Sequence, residues 1–192
     1  MTLLAGNPGF LGFREVALFT PDECDRIVAE AEAQDHWSTA GIYQRGGAGV
    51  DLTERSVANA PIVGDPDGWP IRPLVDAVAA VNDEHFRYDL AQIPPADRPS
   101  VLRYDAGSAD HFRSHRDSGP FSPTRKLTFI VQLSPSEAYD GCDLVFSDIG
   151  EIGTREQGAL IVFPTFEFHH VTPVLRGRRH AIVGWVHGPT FS

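Results

Sequence analysis

From Ser100 onward the chain is cut into short apolar runs separated by Gly, Pro, Asp and Ser, and this punctuation leaves no room there for long helices. The clearest run sets Leu127, Phe129, Val131 and Leu133 in alternation with Thr128, Ile130 and Gln132, the period of two of a β-strand. Further strands are expected over 143–147, 159–163 and 179–187. The upstream texture differs. Thr20-Pro21-Asp22-Glu23 is a helix start, with Thr20 as cap, Pro21 in the first turn and Glu23 closing a capping box. Cys24, Ile27, Val28 and Ala31 follow at helical spacing, to about Gln34. Leu74, Val75, Val78 and Val81 mark a second helix that ends near Phe86. Helices followed by many short strands predict an α+β fold with a β-sandwich or barrel as its main body. Residues 38–59, rich in glycine and without an apolar period, read as either a mobile loop, such as a lid, or a solvated connection.

The chain has 192 residues, 42% hydrophobic and 22% charged, which suits one domain with a proper core. That domain is expected to span 1–192, with a helical part over about 14–90 and a β part over about 100–190. The formal net charge is −10, and Lys126 is the only lysine among 16 basic residues. An acidic chain without a basic stripe disfavours nucleic acid as partner, and its surface suits a neutral or basic substrate slightly better. Cys24 and Cys142 form no CxxC pair, so neither a disulfide framework nor a cysteine zinc site is expected, and a reducing compartment fits. With neither a secretory leader pattern nor an apolar run near the roughly 20 residues of a membrane span, the expectation is a cytoplasmic protein with no membrane partner. The oligomeric state is not legible.

His115-Arg116-Asp117 places an imidazole and a carboxylate two residues apart. In an extended segment both leave the same face and can meet one ion, while Arg116 points away. A third ligand is offered by His169 or His170; adjacent strand residues face opposite ways, so one of them is expected to bind. Two histidines and a carboxylate on one face leave coordination positions open, as in non-haem iron oxygenases. Arg179 stands ten residues after His169, behind Gly177, on a strand whose one face carries Arg179, Ala181, Val183 and Trp185. A buried arginine on an apolar face needs an anion, and a dicarboxylate chelating the metal would supply one.

These residues resemble the prolyl 4-hydroxylase-like branch of the Fe(II)/2-oxoglutarate dioxygenases. The similarity runs in order through Tyr104 and Gly107, His115-Arg116-Asp117, Arg125 to Leu133, the Tyr139-Asp140-Gly141-Cys142-Asp143-Leu144 turn, Gly158 to Pro164, His169-x-Val171-x-Pro173-Val174, and Gly177-x-Arg179 with Trp185. The two N-terminal helices, the second with Asn82, also look similar to the family's. The resemblance implies a double-stranded β-helix, the cupin-like jelly roll, with N-terminal helices packed on one sheet. It implies Fe(II) on His115, Asp117 and His169, with Val171 and Pro173 in register to select His169. It implies 2-oxoglutarate paired with Arg179 and touched by the Tyr104 hydroxyl, with Thr128 and Gln132 as further candidate contacts. Dioxygen is the second co-substrate and ascorbate a candidate auxiliary reductant; no catalytic side chain is expected beyond the metal centre. The implied reaction hydroxylates an unactivated C–H bond while 2-oxoglutarate is converted to succinate and carbon dioxide. The substrate is a prolyl or other residue of a polypeptide, or a small molecule such as a free amino acid or natural-product intermediate.

The chain departs from the family pattern at several positions. Cys142 stands where a second glycine of the turn is usual, Asp143 replaces a glutamate, Gln132 a tyrosine that contacts 2-oxoglutarate, and Ala181 a serine. Asp117 is intact, whereas related halogenases lack this carboxylate. A cupin-like metal protein acting as isomerase, hydrolase or binding module is the competing class, and a non-catalytic domain is a third; neither needs Arg179. His111, His180 and His187 read as surface or hydrogen-bonded residues. Arg55 and Tyr43, in the glycine-rich stretch, are either substrate contacts or solvated, with the solvated role favoured.

Overall fold

The computed structural model describes residues 12–44, 47–65 and 67–190. The major sheet runs from edge to edge through β1 (Arg14–Ala17), β13 (Ala159–Pro164), β9 (Arg125–Gln132), β15 (Val174–His187), β7 (Ser100–Asp105), β6 (Ala58–Pro61) and β2 (Ser38–Thr39), with β10 (Tyr139–Gly141) pairing the start of β15. The minor sheet runs β12 (Glu151–Ile152), β11 (Leu144–Phe146), β14 (His169–Val171), β8 (His111–His115) and β5 (Arg55–Ser56). β3 (Ile42–Gln44) and β4 (Gly47–Gly49) form a separate hairpin. Two antiparallel sheets face to face make the jelly roll, with the helices on the outer face of the major sheet.

The capping box forms as its residues require: the Glu23 N–H donates to Thr20 Oγ1 at 3.4 Å and the Thr20 N–H to the Glu23 carboxylate at 2.8 Å. The helix it starts, α1 (Pro21–Glu32), buries Cys24, Ile27 and Ala31. The second, α2 (Ile71–Val81), buries Ile71, Leu74, Val78 and Val81, and its chain continues in one wide turn to Phe86. There Arg87 turns left-handed at φ 57°, and the Asn82 side chain holds both backbone groups of Tyr88, at 2.9 and 3.0 Å.

These helix faces meet Leu127, Phe129, Val131 and Leu133 of the β9 segment together with Leu160, Val162 and Ile182, forming one core. The alternate residue Ile130, with Tyr104, Phe146, Ile161, Phe163 and Ala181, belongs to a second core between the sheets. β9 is buried along its whole length, so its alternation separates two interiors rather than core from solvent. The inter-sheet side is where polar Thr128 and Gln132 are found useful partners.

Two expectations are corrected. Residues 14–90 are not simply a helical part, because β1, β2 and β6 lengthen the major sheet and β5 closes the minor one. Residues 38–59 are not an unstructured connection: β2 pairs β6, and β5 pairs β8 at Arg55↔Phe112. Strands of two to four residues, held by partners distant in sequence, leave no periodicity to detect.

Candidate metal centre and its pocket

β14 lies antiparallel to β8 in the register His169↔His115, which sets the two imidazoles side by side with ring centroids 4.2 Å apart. The strand ends at His115, so Asp117 does not reach the site by extended alternation. It sits in a bend beyond the strand, where its N–H donates to the Thr165 carbonyl at 2.8 Å and turns the carboxylate back between the imidazoles. Asp117 Oδ1 lies 3.6 Å from His115 Nε2, and Oδ2 lies 3.6 Å from His169 Nε2. One ligand atom from each of these residues falls within 4.8 Å of the others.

The donor set fits a divalent transition metal. His115 Nδ1 is bonded to the Arg113 carbonyl at 2.7 Å and His169 Nδ1 to the Glu167 carbonyl at 3.0 Å. Carbonyls only accept, so each ring carries its proton on Nδ1 and turns a bare Nε2 lone pair toward Asp117. Burial alone would raise the Asp117 carboxyl, but the neighbouring His169, the His115 contact and the Thr128 hydroxyl outweigh it and hold the group well below the usual carboxylate range. Burial, with the nearby His115, pulls His169 down from its ordinary 6.5 to about 4. Both groups are thus in the deprotonated form that a metal requires.

His170 occupies the opposite face, where its Nδ1 meets the Ser147 hydroxyl at 3.0 Å, so His169 is the histidine that joins the cluster. His111 bonds the carbonyls of Ala109 and Thr53, His180 bonds Glu32 at 2.7 Å, and His187 bonds Thr124 and Asp97. Those three are hydrogen-bonded residues away from the cluster, as read from the sequence.

The major sheet contributes the next layer. Thr128, a candidate contact to 2-oxoglutarate, donates its hydroxyl to Asp117 Oδ2 at 2.7 Å. Arg179 is 2% exposed, and its register partner Tyr104 puts a ring 5.4 Å from the guanidinium carbon. Burial pushes the Tyr104 phenol up to about 12, so it stands as a neutral hydroxyl. Gln132 accepts from Arg179 Nε at 2.9 Å through its amide oxygen and donates to the Thr154 carbonyl at 2.8 Å, so it orients the guanidinium. Among the described residues no carboxylate forms an ion pair with Arg179.

One position of the family pattern and one departure from it acquire a physical account. Gly177 adopts φ +73°, and a Cβ there would lie 2.0 Å from the Ala138 carbonyl oxygen, so the glycine before Arg179 is a packing requirement. Cys142 adopts φ 57° without being glycine, and its Sγ rests 3.9 Å from Arg179 Nη1.

A cavity of about 550 Å³ opens beside His115 and Asp117. Its wall includes Trp185, whose ring lies 3.7 Å beneath the Arg125 guanidinium carbon, and Arg125 is itself held bidentately by Asp97 at 2.8 and 2.9 Å. The Trp185 indole N–H is buried without a partner among the described residues. Arg55, for which the sequence favours a solvated role, is instead half-buried in this wall. Its guanidinium covers the Phe112 ring at 4.6 Å, and that ring stacks on His115 with centroids 3.5 Å apart. Desolvation draws the Arg55 guanidinium below its ordinary value. The β5–β8 pairing is what brings it to the cavity. The side chain of Tyr43 lies outside the described residues.

Comparison with known proteins completes the description. A family model for the 2OG-Fe(II) oxygenase superfamily matches residues 99–187, which include every member of the cluster and Arg179. A PKHD-type hydroxylase of Paraburkholderia phymatum is 31% identical over 185 residues, covering 88% of this chain and 75% of the relative. A PKHD-type hydroxylase of Idiomarina loihiensis is 34% identical over 92 residues, covering 46% of this chain and 41% of the relative. Among solved structures, a prolyl-4-hydroxylase of Pseudomonas putida aligns with TM-score 0.72 and 21% identity over 92% of both chains. A prolyl hydroxylase of Trichoplax adhaerens, solved with a peptide fragment of a hypoxia inducible factor oxygen degradation domain, aligns with TM-score 0.71 and 20% identity over 92% of this chain and 83% of that one. At such identities the solved structures speak to the fold, and the fold is shared.

Proposed function

Since the chain belongs to the 2OG-Fe(II) oxygenase superfamily, in its prolyl 4-hydroxylase-like branch, and is an oxygenase that uses Fe(II), 2-oxoglutarate and dioxygen, we propose that it hydroxylates an unactivated C–H bond at the cluster His115, Asp117 and His169. One observation carries this assignment of residues: two Nε2 lone pairs and an ionised carboxylate converge next to Thr128, and on the same face of β9 Gln132 orients a buried arginine that has no ion-pair partner among the described residues. A non-oxygenase cupin would have use for the first feature and none for the second.

Fe(II), when bound, supplies the redox chemistry that couples conversion of 2-oxoglutarate and dioxygen into succinate and carbon dioxide to replacement of a C–H bond by C–OH. His115 and His169 present fixed lone pairs because the carbonyls behind them hold each ring in one tautomer. Asp117 adds the charge, and Thr128 holds its second oxygen in place. Arg179 receives the far carboxylate of 2-oxoglutarate, oriented by Gln132, with the Tyr104 hydroxyl available as a second donor. Trp185, Arg125 and Phe112 enclose the neighbouring space, where they position the substrate and limit water. The substrate carbon enters through this cavity, either as a prolyl or other residue of a polypeptide or within a free amino acid or natural-product intermediate. The Trichoplax neighbour, seen with a peptide, supports the peptidyl form. We place this activity in one dioxygenase domain formed by both sheets and the helices behind them.

Under anaerobic conditions the Fe(II)-loaded protein develops a weak visible absorption band when 2-oxoglutarate is added, and forms succinate once oxygen is admitted. Absence of both band and succinate overturns the assignment.

A further inference from the structure

The chain is acidic overall, with a formal net charge of −10, yet the cavity beside the metal cluster is lined by Arg55, Arg113, Arg116 and Arg125 against Glu54 and Asp117. Asp117 is committed to the metal. Arg113 faces Glu54 at 3.5 Å, and Arg125 is clamped by Asp97 at 2.8 Å. Arg116 is exposed to solvent, over the Phe168 ring. Arg55 differs from all of these. It is drawn out of water, and among the described residues no carboxylate pairs with it. Its Nη1 donates to the Gly41 carbonyl at 3.0 Å. Among the described residues its buried Nε–H meets no acceptor.

The carboxylate whose charge steadies it, Asp117, is committed to the metal. A guanidinium withdrawn from water without an ion pair of its own is costly, and the cost is relieved by an anion that fits its fork. Position decides which anion. Arg55 lies on Phe112, which lies on His115, so the stack ends at the metal on the cavity side. Arg179 belongs to the major sheet and is paired in register with Tyr104, on the side already given to the far carboxylate of 2-oxoglutarate. Arg55 also feels Tyr104, but it comes from the minor sheet and lines the cavity, which Arg179 does not, so the two arginines address different ligands.

We propose that Arg55 forms a carboxylate subsite for the primary substrate, so that the carbon presented to the metal belongs to a molecule or residue carrying a nearby carboxylate. This deepens the function proposed above and rests on it. The carboxylate belongs either to a free amino acid or to a peptide, at its C-terminus or in an adjacent acidic side chain; both present the same group to Arg55. The net charge of the chain, which points toward neutral or basic substrates, is not the charge of this cavity.

The test uses the anaerobic Fe(II) and 2-oxoglutarate complex, titrated calorimetrically with matched probes. These are L-proline against L-prolinamide, glycyl-L-proline against its amide, and a blocked Pro-Asp peptide against its Pro-Asn counterpart. In the wild type at least one carboxylate binds about tenfold or more tightly than its amide, and the pair that discriminates identifies the source. Arg55→Gln abolishes that preference while the 2-oxoglutarate absorption band and its affinity stay unchanged, and Arg55→Lys retains part of it. The proposal is overturned if no carboxylate probe binds, if carboxylate and amide bind alike, or if the preference survives in Arg55→Gln. It is also overturned if Arg55→Gln weakens 2-oxoglutarate instead, which would assign the residue to the co-substrate. Failure of the underlying oxygenase reading is separate, because it appears as loss of the band in the wild type before any probe is added.

Discussion

The two sheets that flank the cavity are built alike and covered differently. The major sheet has helices on one side and the minor sheet on the other, and both β9 and β13 are buried along their entire length. The minor sheet is open on its outer side, and in β8 residues Arg113 and Ser114 are exposed between half-buried neighbours. Arg179, Tyr104, Gln132 and Thr128 stand on the enclosed sheet, whereas His115 and His169 stand on the open one. Pairing a guanidinium with a carboxylate gains most where water is excluded. A metal that must admit a substrate needs the reverse, an accessible side with rigid ligands. The division of labour follows from the difference in cover.

If the minor sheet holds the metal, Asp117→Ala has the largest effect: no iron retained in a ferrozine assay, and succinate formation down about a thousandfold or more, with a native circular dichroism spectrum. Iron held as before would break the division at once. On the enclosed sheet, Arg179→Ala weakens 2-oxoglutarate by roughly 100-fold in equilibrium titration, because a buried charge pair is opened, and leaves iron affinity within about twofold. Equal losses of both would make Arg179 a structural residue.

Acid should strike the open sheet first. His169 has an ordinary value of 6.5 and lies near 4 in the folded chain, so as pH falls through this window the unfolded chain takes up a proton that the folded one refuses. Iron-free protein therefore loses stability between about pH 6.5 and 4, on the order of 2 kcal/mol, read from urea midpoints. Asp117, held low, extends the loss below that window, since the folded state keeps it ionised. His169→Gln should flatten the slope above pH 4; an unchanged slope would place the acid-sensitive group elsewhere.

Packing gives the converse contrast. A Cβ added at Gly184 would lie 2.3 Å from the Phe129 ring, so Gly184→Ala should cost the major sheet about 2 kcal/mol, whereas Ile152→Ala on the minor sheet, 56% exposed, should cost under about 0.5 kcal/mol. Thermal midpoints that fell equally would remove the distinction. Within the site the smallest effect is the one that joins the sheets: Thr128→Val, which deletes the hydroxyl on Asp117, should weaken iron about tenfold with little change in 2-oxoglutarate affinity.

Much of this was legible in residue order. The period of two over 127–133 located the central strand and the Thr20–Glu23 box the first helix, while the choice of His169 over His170 came from the family resemblance, with Val171 and Pro173 in register. Arg179 was legible because a charged residue on an apolar face needs a partner. Arg55 was weighed as a substrate contact but favoured as solvated, since it sits in a two-residue strand within a glycine-rich stretch, where no local pattern separates the two. The protein partners of Thr128 and Gln132, both candidate co-substrate contacts, were not legible: they hold Asp117 and Arg179.

Local periodicity and residue chemistry, encoded along the chain, determine which segments become strands and which side chains can ligate a metal or bind a carboxylate. They do not determine which of these atoms meet. Asp117 joins the histidines through a bend held by Thr165, and Arg55 reaches the cavity through a strand pair that spans distant segments. Such contacts depend on hydrogen bonds between residues far apart in sequence, and only the closed pair of sheets brings them together.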